Sequence, residues 1–346
     1  MIDRRKSGVL LGLLALFGVA ALPRPAGAEP VGDFYKGKTV TIYCGYTAGG
    51  TYDAIARLLS RYIGTHIPGS PAFIVKNMPG SGSLKAVLYL YEVAPKDGTA
   101  LAVVTRTYPT EPVFNASKPK YDPSKFEPIG STSSEVSVGV TWHTSPIKTF
   151  GDLMKREASV GATSVSDDIG RHPLIAKNLT GAKIKLVLGY PGGNEITTAL
   201  EKGEVDARFG WSWGSVKSRS KSWLDEKKIN ILIQEGMAKA PDLPNVPFIM
   251  DYAKTDLDRA ALEFLFAPQA AAWPLLAPPG MPKDRVAALR AAYKATMKDP
   301  GFLAAAQKLR IDIEPITGEE MEKLNARIAK ADGKVVARAK ALTAAR

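Results

Sequence analysis

Residues 39–59 read TVTIYCGYTAGGTYDAIARLL, and this stretch decides the fold prediction. The β-branched run Thr39–Cys44 is typical of a strand. From Tyr52 to Gly64, apolar residues recur three and four positions apart, which predicts a helix with one buried face. The glycine-rich segment 45–53 joins the two. A strand, a tight loop and a helix in this order are the repeating unit of an α/β fold.

The same order recurs as far as residue 105. We predict a strand at 73–76, a second glycine loop at 79–83 and a helix that begins at Leu84. The chain then returns as a strand at 100–105. Parallel strands need crossover connections, usually helices, so this part of the chain predicts a β–α–β–α–β arrangement.

The middle of the chain repeats this pattern and predicts a second domain. Residues 108–128 are rich in Pro and Lys and lack periodicity, so we interpret them as a surface excursion before a crossover between domains. We predict one domain from 29–136 with 271–346, a second from 137–270, and two crossover segments between them. The other predicted strands are 136–142, 160–164, 185–188, 205–209 and 229–234, and the other predicted helices include 150–155 and 172–179.

The N-terminus has the pattern of an export signal. Three basic residues, 4–6, precede an apolar run from Val9 to Leu22, and an A-x-A cleavage site follows at 26–28. The run is about 14 residues, shorter than the ~20 residues that a membrane-spanning helix needs. We predict a signal peptide at 1–28, cleaved after Ala28, and a periplasmic location.

Charge and cysteine content limit the function classes. The formal net charge is +12, and removing residues 1–28 takes away four basic and one acidic residue and leaves +9. The basic residues are mostly scattered and are not interleaved with aromatic residues, so we expect no nucleic-acid partner and consider a small anion instead. Cys44 is the single cysteine, so no internal disulfide can form.

The chain offers few groups for catalysis. His66, His143 and His172 are far apart and fit no zinc-site spacing, and no G-x-S-x-G nucleophile motif is present. The glycine loops lack the G-K-[ST] of a P-loop, and 45–50 does not read G-x-G-x-x-G. We therefore predict no catalytic residue, no metal and no cofactor.

The glycine loops are suited to anion binding. A loop at a helix start presents free amides, and the helix dipole favours negative charge there. Gly49 and Gly50 let a carboxylate approach without a Cβ in the way. One helix terminus contributes only ~0.3–1 kcal/mol, whereas micromolar affinity needs about 8 kcal/mol. We therefore expect three loops to converge on the ligand, at 46–53, 80–83 and 190–194.

Several side chains are candidates with two interpretations each. Asp53 either caps its helix or holds a water, a hydroxyl or an amine of the ligand. Trp211 and Trp213, predicted to project to the same side, either pack in the core or hinge, or stack against a bulky or aromatic ligand. Arg171, beside His172, either pairs with a ligand carboxylate or forms a salt bridge at a helix start.

Six segments in the same order carry a family resemblance. The chain resembles the extracytoplasmic solute receptors of tripartite tricarboxylate transporters, often called Bug proteins, including their A-G-G-x-x-D loop, N-x-P-G-x-G turn and A-L-x-x-G-E-V-D segment. The segments are GKTVTIYCGYTAGGTYDAIARLL (37–59), VKNMPGSGS (75–83), VAPKDGTALAVV (93–104), GYPGGNEITTALEKGEVDA (189–207), LPNVPFIMD (243–251) and LLAPPGMPKDRV (275–286).

The resemblance implies a type II Venus-flytrap fold, in which two α/β domains close on a ligand and no reaction follows. It implies a small organic acid as ligand, a di-, tri- or aromatic carboxylate, and membrane transporter subunits as partners; we expect a monomer. With the side chains argued above, the candidate ligand-binding residues are Tyr46, Thr47, Ala48, Gly49, Gly50, Thr51, Asp53, Ser81, Thr105, Ser164, Ser166, Arg171, His172, Tyr190, Gly192, Gly193, Asn194, Trp211 and Trp213.

The chain departs from the family pattern in three places. Gly45-Tyr46-Thr47 stands where the family usually has P-F-P, and Met281 stands where it has Thr. Arg208 and two tryptophans follow G-E-V-D. These departures favour a ligand that is larger or flatter than citrate. Two other functions remain open, a sensor receptor that presents ligand to a signalling protein and a secreted hydrolase.

Overall fold

The computed structural model describes residues 29–114 and 120–345. The predicted signal peptide, 1–28, lies outside the described residues. Within those residues, no helix is long and apolar enough to cross a membrane.

The described chain alternates strands and helices. The strands are β1 (Thr39–Cys44), β2 (Ala72–Asn77), β3 (Ala100–Val103), β4 (Glu127–Ser131), β5 (Ser137–Trp142), β6 (Ala158–Gly161), β7 (Ile184–Val187), β8 (Ala207–Ser212), β9 (Ile229–Glu235), β10 (Pro274–Ala277) and β11 (Ile316–Thr317). The helices are α1 (Val31–Tyr35), α2 (Thr51–Tyr62), α3 (Leu84–Glu92), α4 (Glu111–Phe114), α5 (Asp168–Thr180), α6 (Gly193–Glu201), α7 (Trp213–Arg219), α8 (Lys221–Asp225), α9 (Asp256–Phe266), α10 (Lys283–Thr296), α11 (Pro300–Lys308), α12 (Gly318–Ala329) and α13 (Gly333–Leu342). Short 3₁₀ helices lie at Ile63–His66, Pro123–Lys125, Phe150–Met154, Ile249–Tyr252 and Ala267–Ala271.

The strands form two mixed sheets. The first has the order β11-β4-β10-β3-β1-β2 and the second has the order β7-β6-β8-β5-β9. In the first sheet β1 runs parallel to β2 and β3, and in the second β6 runs parallel to β7 and β8. The chain crosses between the sheets after β4 and again before β10. Two crossings agree with the predicted number of crossover segments.

The first predicted unit forms as its sequence pattern indicates. Val40, Ile42 and Cys44 are buried on β1, and Ile55 and Leu59 are buried on α2. The helix ends as an α-helix at Tyr62 and continues as a 3₁₀ turn, so it is shorter than predicted. Because β1 and β3 are parallel neighbours, the segments that follow them meet at one edge of the sheet, where ligands bind in open α/β sheets.

The interpretation of 108–128 as a surface excursion is wrong for its described part. Tyr108, Tyr121 and Phe126 are buried, and the Tyr121 hydroxyl donates to the Tyr108 carbonyl over 2.7 Å. β4, which begins at Glu127, lies between β10 and β11. Three irregularly spaced aromatic residues produce no periodic signal, yet together they bury enough surface to hold the segment on the core.

The end of the chain packs on helices that flank the second sheet. Helix α13 contacts α5 and α9. The Arg338 Nε donates to Asp258 Oδ1 over 2.7 Å, and the Asn178 side-chain amide donates to the Leu342 carbonyl over 2.9 Å. The division into 29–136 with 271–346 and 137–270 stays a prediction.

Candidate functional site

A cavity of about 170 Å³ lies between the two sheets and is lined by residues of both. From the first sheet's side come the loop after β1, the start of α2, Arg106 after β3 and Trp273 before β10. From the second sheet's side come the starts of α5 and α6, strand β8 and helix α7. The first turns of α2, α5 and α6 therefore reach the cavity, and helix N-termini favour a negatively charged ligand.

Hydrogen bonds close the two sides on each other. The Thr47 hydroxyl donates to Glu195 Oε2 over 3.2 Å, and the Asn194 amide donates to the Ala48 carbonyl over 3.2 Å. The Thr51 hydroxyl donates to Ser215 Oγ over 2.7 Å. The first two bonds join the first glycine loop to the start of α6, and the third joins the start of α2 to α7.

Gly192 lets these loops meet. A Cβ at Gly192 would lie 2.5 Å from the Thr47 hydroxyl oxygen and 3.1 Å from Glu195 Oε2. Gly49, at the other loop, has a φ of 84°, which favours glycine. Arg219 on α7 donates to the Gly49 carbonyl across the cleft.

Asp53 anchors the first loop and does not line the cavity. Its Oδ2 accepts from the Gly49 amide and from Arg57 Nε, both over 2.9 Å, and its Oδ1 accepts from the Asn77 amide over 2.8 Å. Burial alone would raise the pKa of Asp53, but the bonds from Arg57, Gly49 and Asn77 together lower it. Its observed contacts tie the loop before α2 to the first turn of that helix and to the end of β2.

Arg208 is a buried cation that lines the cavity. One terminal nitrogen donates to the Gly193 carbonyl over 2.9 Å and to the Thr197 hydroxyl, and the guanidinium lies 4.1 Å from the Trp211 ring centroid. Within the described part of the chain its Nε has no hydrogen-bond partner. Burial lowers the pKa of Arg208 to about 9, although Asp168 attracts its charge from a distance.

A bulge in β8 places Arg208 and Trp211 on the same side. Val138 pairs with Trp211 and Val140 pairs with Arg208, so two residues of β8 oppose the single residue Gly139 of β5. Gly210 occupies the bulge with a φ of 62°. In a regular strand, residues three positions apart face opposite sides of the sheet. The extra residue of a bulge shifts this alternation by one position, so that Arg208 and Trp211 face the same side.

Gly210 also allows close approach of α5. A Cβ at this position would lie 2.7 Å from the Asp168 carbonyl oxygen. Asp168, the first residue of α5, is thereby held against the cavity end of β8. The sequence analysis did not include Asp168 among the candidate site residues, because it predicted that this helix begins only at residue 172, four positions later than observed.

Arg106 and Asp168 form an ion pair across the two sides. The Arg106 terminal nitrogen lies 2.6 Å from Asp168 Oδ2, and both side chains are buried. Burial would lower the pKa of Arg106, but the neighbouring acidic groups, Asp168 first among them, together outweigh burial and raise that pKa. Counting only described residues, the Arg106 Nε and second terminal nitrogen and the Asp168 Oδ1 make no hydrogen bond.

Asp167 does not line the cavity but joins its two sides through Tyr46. Its Oδ2 accepts from the Tyr46 hydroxyl over 3.3 Å and from Thr163, and its Oδ1 caps α5 through the Gly170 amide over 3.2 Å. Burial, together with the nearby Asp168 carboxylate, raises the pKa of Asp167 to about 7.

Aromatic rings form the remaining walls. Tyr46 stacks on Tyr52 at 4.4 Å between ring centroids, and Tyr52 meets Trp273 edge-on at 4.6 Å. Trp211 lines the cavity, whereas Trp213 donates its indole N–H to Asp242 over 2.8 Å outside it. The prediction that both tryptophans project together is wrong, because β8 ends at Ser212 and α7 begins at Trp213.

Other predicted site residues lie outside the cavity. The Arg171 guanidinium pairs with Glu111 over 2.5 Å and lies 4.5 Å from the Phe114 ring centroid, and His172 Nδ1 lies 3.1 Å from Glu235 Oε2. Thr105 is buried beside Thr107, with 2.9 Å between their hydroxyl oxygens. The second glycine loop lines a separate opening, with Ser81, Ser164 and Tyr190 on its walls, and Ser166 bonds to Ser164 beside it.

The cavity thus combines predicted and unpredicted residues. Those predicted from the sequence are Tyr46, Thr47, Gly50, Thr51, Gly193, Asn194 and Trp211. Those missed are Tyr52, Arg106, Asp168, Ile169, Thr197, Arg208, Gly210, Ser212, Ser215, Arg219, Ser220 and Trp273. Arg208 was visible as a departure from the family pattern, but neither its burial nor its partners could be predicted. Among the described residues, no group of three or more His, Cys, Asp or Glu side chains could hold a metal ion.

Comparisons with known proteins agree with the sequence resemblance. No family model matches the chain. A curated relative from Cupriavidus necator, a UPF0065 protein in the gbd 5' region, is 26% identical over 323 residues, which cover 90% of this chain and 88% of the relative.

Solved structures share the fold. The periplasmic binding protein BugD superposes with a TM-score of 0.71 at 18% identity, covering 89% of this chain and 98% of BugD. MatC from Rhodopseudomonas palustris with bound malate superposes with a TM-score of 0.68 at 19% identity, covering 89% of this chain and 99% of MatC. The predicted resemblance is confirmed, and so is the predicted fold class, an α/β fold with two mixed sheets of the kind found in periplasmic binding proteins.

Proposed function

We propose that the chain is a periplasmic solute-binding protein that captures a small carboxylate between its two domains and releases it unchanged. One observation carries this proposal: Arg208 is buried at the cavity, and within the described residues no carboxylate pairs with it. A buried charge without a partner is strongly unfavourable. A bound carboxylate would supply the missing charge through a charge-assisted hydrogen bond.

The closed contacts support capture between moving domains. Thr47, Thr51 and Asn194 form hydrogen bonds from one side of the cavity to the other, and their partners also lie at or beside the cavity. In this proposal the bodies that move are 29–136 with 271–346 and 137–270. Ligand binding would shift the protein towards the closed arrangement because only that arrangement contacts the ligand on both sides.

We further propose delivery of the ligand to the membrane subunits of a tripartite tricarboxylate-type transporter in the periplasm. The fold shared with BugD and MatC supports a solute-binding role. The transporter partner enters only as part of this proposal. Fold-level likeness does not fix function, so the partner needs its own test.

Ligand capture can be tested by thermal unfolding of the purified protein with malate, adipate, benzoate and 4-hydroxybenzoate, and with neutral sugars as controls. A ligand that binds only the folded state stabilises it by about 2.7 kcal/mol at a concentration of 100 Kd. We expect at least one acid to raise Tm in a concentration-dependent way. Stabilisation by a sugar and by none of the acids would refute the carboxylate proposal.

Delivery and turnover can be tested separately. Deleting the gene should abolish uptake of the labelled acid by cells, whereas intact uptake with a lost transcriptional response would indicate a sensor receptor. Chromatography of the acid after incubation with the protein should recover it unchanged. A chemically altered acid would indicate a hydrolase or another enzyme.

A further inference from the structure

We propose that the cavity selects a hydroxylated monocarboxylate close in size to a benzene molecule, with the carboxylate at Arg208 and the hydroxyl at the Arg106–Asp168 pair. This inference rests on the proposed function and names the ligand class that the cavity would take. It depends on the charges, on the unpaired buried atoms and on the size of the cavity.

Charge sets the number of carboxylates at one. Arg106, Asp168 and Arg208 line the cavity and are 3%, 3% and 7% exposed. Arg106 and Asp168 neutralise each other through a contact of 2.6 Å. Arg208 is left as a buried positive charge, while Arg219, the other arginine on the wall, is exposed and can be neutralised by solvent ions. One negative charge on the ligand therefore balances the buried part of the cavity.

Arg208 is prepared for a planar anion. Its guanidinium is held by the Gly193 carbonyl and the Thr197 hydroxyl and lies 4.1 Å from the Trp211 ring centroid, so its orientation is fixed on two sides. Its Nε forms no hydrogen bond within residues 29–114 and 120–345. A free donor on a fixed guanidinium is the group that a carboxylate oxygen accepts from.

The other free atoms call for a group that both donates and accepts. Asp168 Oδ1 has no donor, and Arg106 Nε and one terminal nitrogen have no acceptor among the described residues. Asp168, when ionised, only accepts hydrogen bonds, and arginine only donates them. A hydroxyl can donate to Asp168 and accept from Arg106 at the same time. A ligand ammonium group could donate to Asp168 but would be repelled by the positive charge of Arg106. A second ligand carboxylate could accept from Arg106 but would be repelled by the negative charge of Asp168.

Size and shape limit the body of the ligand. A cavity of about 150 Å³ can hold a benzene molecule, so the 170 Å³ found here suits a compact acid of about that size, such as a short aliphatic hydroxy acid. A ring with two substituents would fit only if the cavity walls move apart. Each arginine also lies against an indole, since Arg106 is 5.4 Å from the Trp273 ring centroid. Aromatic walls behind both polar ends favour a compact body between them.

Isothermal titration calorimetry with matched acids tests the ligand class. The aromatic set is 4-hydroxybenzoate, benzoate and terephthalate, and the aliphatic set is 3-hydroxybutyrate, butyrate and succinate. We expect the hydroxy acid of at least one set to bind about ten- to hundredfold more tightly than both other members of its set, because these leave Asp168 Oδ1 unpaired. A dicarboxylate that binds more tightly than the hydroxy acid in both sets would overturn the inference while leaving the proposed function intact. Absence of binding by all six acids would overturn both.

Variants test which residue recognises which group. Arg208→Gln should weaken every carboxylate in the panel by at least tenfold, with the exposed Arg61→Gln as matched control. Asp168→Asn removes one negative charge, so the preference should shift by at least tenfold from 4-hydroxybenzoate towards terephthalate, and Asp225→Asn on the surface should not shift it. Thermal unfolding without ligand checks that each variant folds. If folded Asp168→Asn keeps the original preference, or folded Arg208→Gln binds normally, the assignment of groups is wrong.

Discussion

Arg106 and Asp168 pair over 2.6 Å across the cleft, one from the segment after β3 and the other from the start of α5. Both side chains are about 97% buried, and both line the cavity together with Arg208. Removing the two charges from water costs free energy, and their mutual attraction offsets that cost. The pair therefore favours the closed arrangement of the two sides only while both partners are present.

The pair can be measured by a double-mutant cycle. Arg106→Met should destabilise the protein by about 3–5 kcal/mol, because it leaves the Asp168 carboxylate buried without its partner. Asp168→Leu should cost a similar amount, for the converse reason. The double variant should be closer to wild type than either single variant, as measured by urea unfolding. Additive losses would mean that the pair does not couple the two sides.

Asp167 predicts a pH dependence of stability. Its folded-state pKa is raised to about 7 from the ordinary value of 3.8, so the folded protein holds a proton there that the unfolded chain has released. Between about pH 4 and pH 7 the folded state binds more protons at this site, and stability must fall as pH rises. This contribution is complete below about pH 4 and lost above about pH 7.

The Asp167→Asn variant tests this directly. Asparagine stays neutral and still caps α5, so the decline in the free energy of unfolding from pH 4.5 to pH 7 should become shallower than in wild type. The variant should also be more stable than wild type at pH 8. Denaturant unfolding at several pH values measures both. Parallel pH profiles for the two proteins would show that Asp167 is ionised in the folded state.

Gly192→Ala should impair closure without unfolding the domains. Its φ of −170° is accessible to any residue, so the effect comes from contact and not from backbone strain. The new Cβ would lie 2.5 Å from the Thr47 hydroxyl oxygen but 3.6 Å from the Thr47 Cβ. We expect ligand affinity to fall at least tenfold in Gly192→Ala and to recover in Gly192→Ala with Thr47→Ala. Calorimetry measures both, and a loss that Thr47→Ala does not relieve would place the obstruction elsewhere.

The sequence predicted the fold well because local patterns decide it. Thr39–Cys44 and the helix after it have the periods of a strand and an amphipathic helix, and the structure follows both. Prediction from the sequence failed where burial depends on contacts between residues that are far apart in the chain. Tyr108 is buried through Phe126 and the Asn325 side chain, which donates to its hydroxyl over 2.8 Å, and no local period reports such contacts.

The site was predicted only in its backbone loops. Glycines at helix starts are visible in a sequence, so Gly50 and Gly193 were found. Arg208 and Trp211 were harder to place together, because strand alternation puts them on opposite faces and only the bulge at Gly210 brings them together. Arg106 and Asp168 are 62 positions apart, and their pairing depends on how the two sides of the cleft meet.

Asp53 allows the two interpretations of the first glycine loop to be separated. Its carboxylate accepts from the Gly49 amide, Arg57 and the Asn77 amide, and these bonds lower its pKa despite burial. Its contribution to stability is therefore present above the unfolded-state pKa of about 3.9 and is lost as pH falls through the lower folded-state value. Asp53→Ala should lower the stability of the ligand-free protein at pH 7 by about 1 kcal/mol or more, because the Gly49 amide, Arg57 and the Asn77 amide lose their acceptor.

The role of Asp53 can be decided by measuring whether its substitution lowers the stability of the ligand-free protein or lowers ligand affinity. If it only anchors the loop, Asp53→Ala should destabilise the ligand-free protein, and Asp53→Asn should recover part of the loss, because an amide oxygen can still accept from Gly49. A ligand-contacting Asp53 would instead leave ligand-free stability nearly unchanged and reduce affinity. Thermal unfolding with and without the tightest-binding acid measures both quantities. Because Asp53 does not line the cavity, we expect the first pattern, in which the loop is weakened before any ligand arrives.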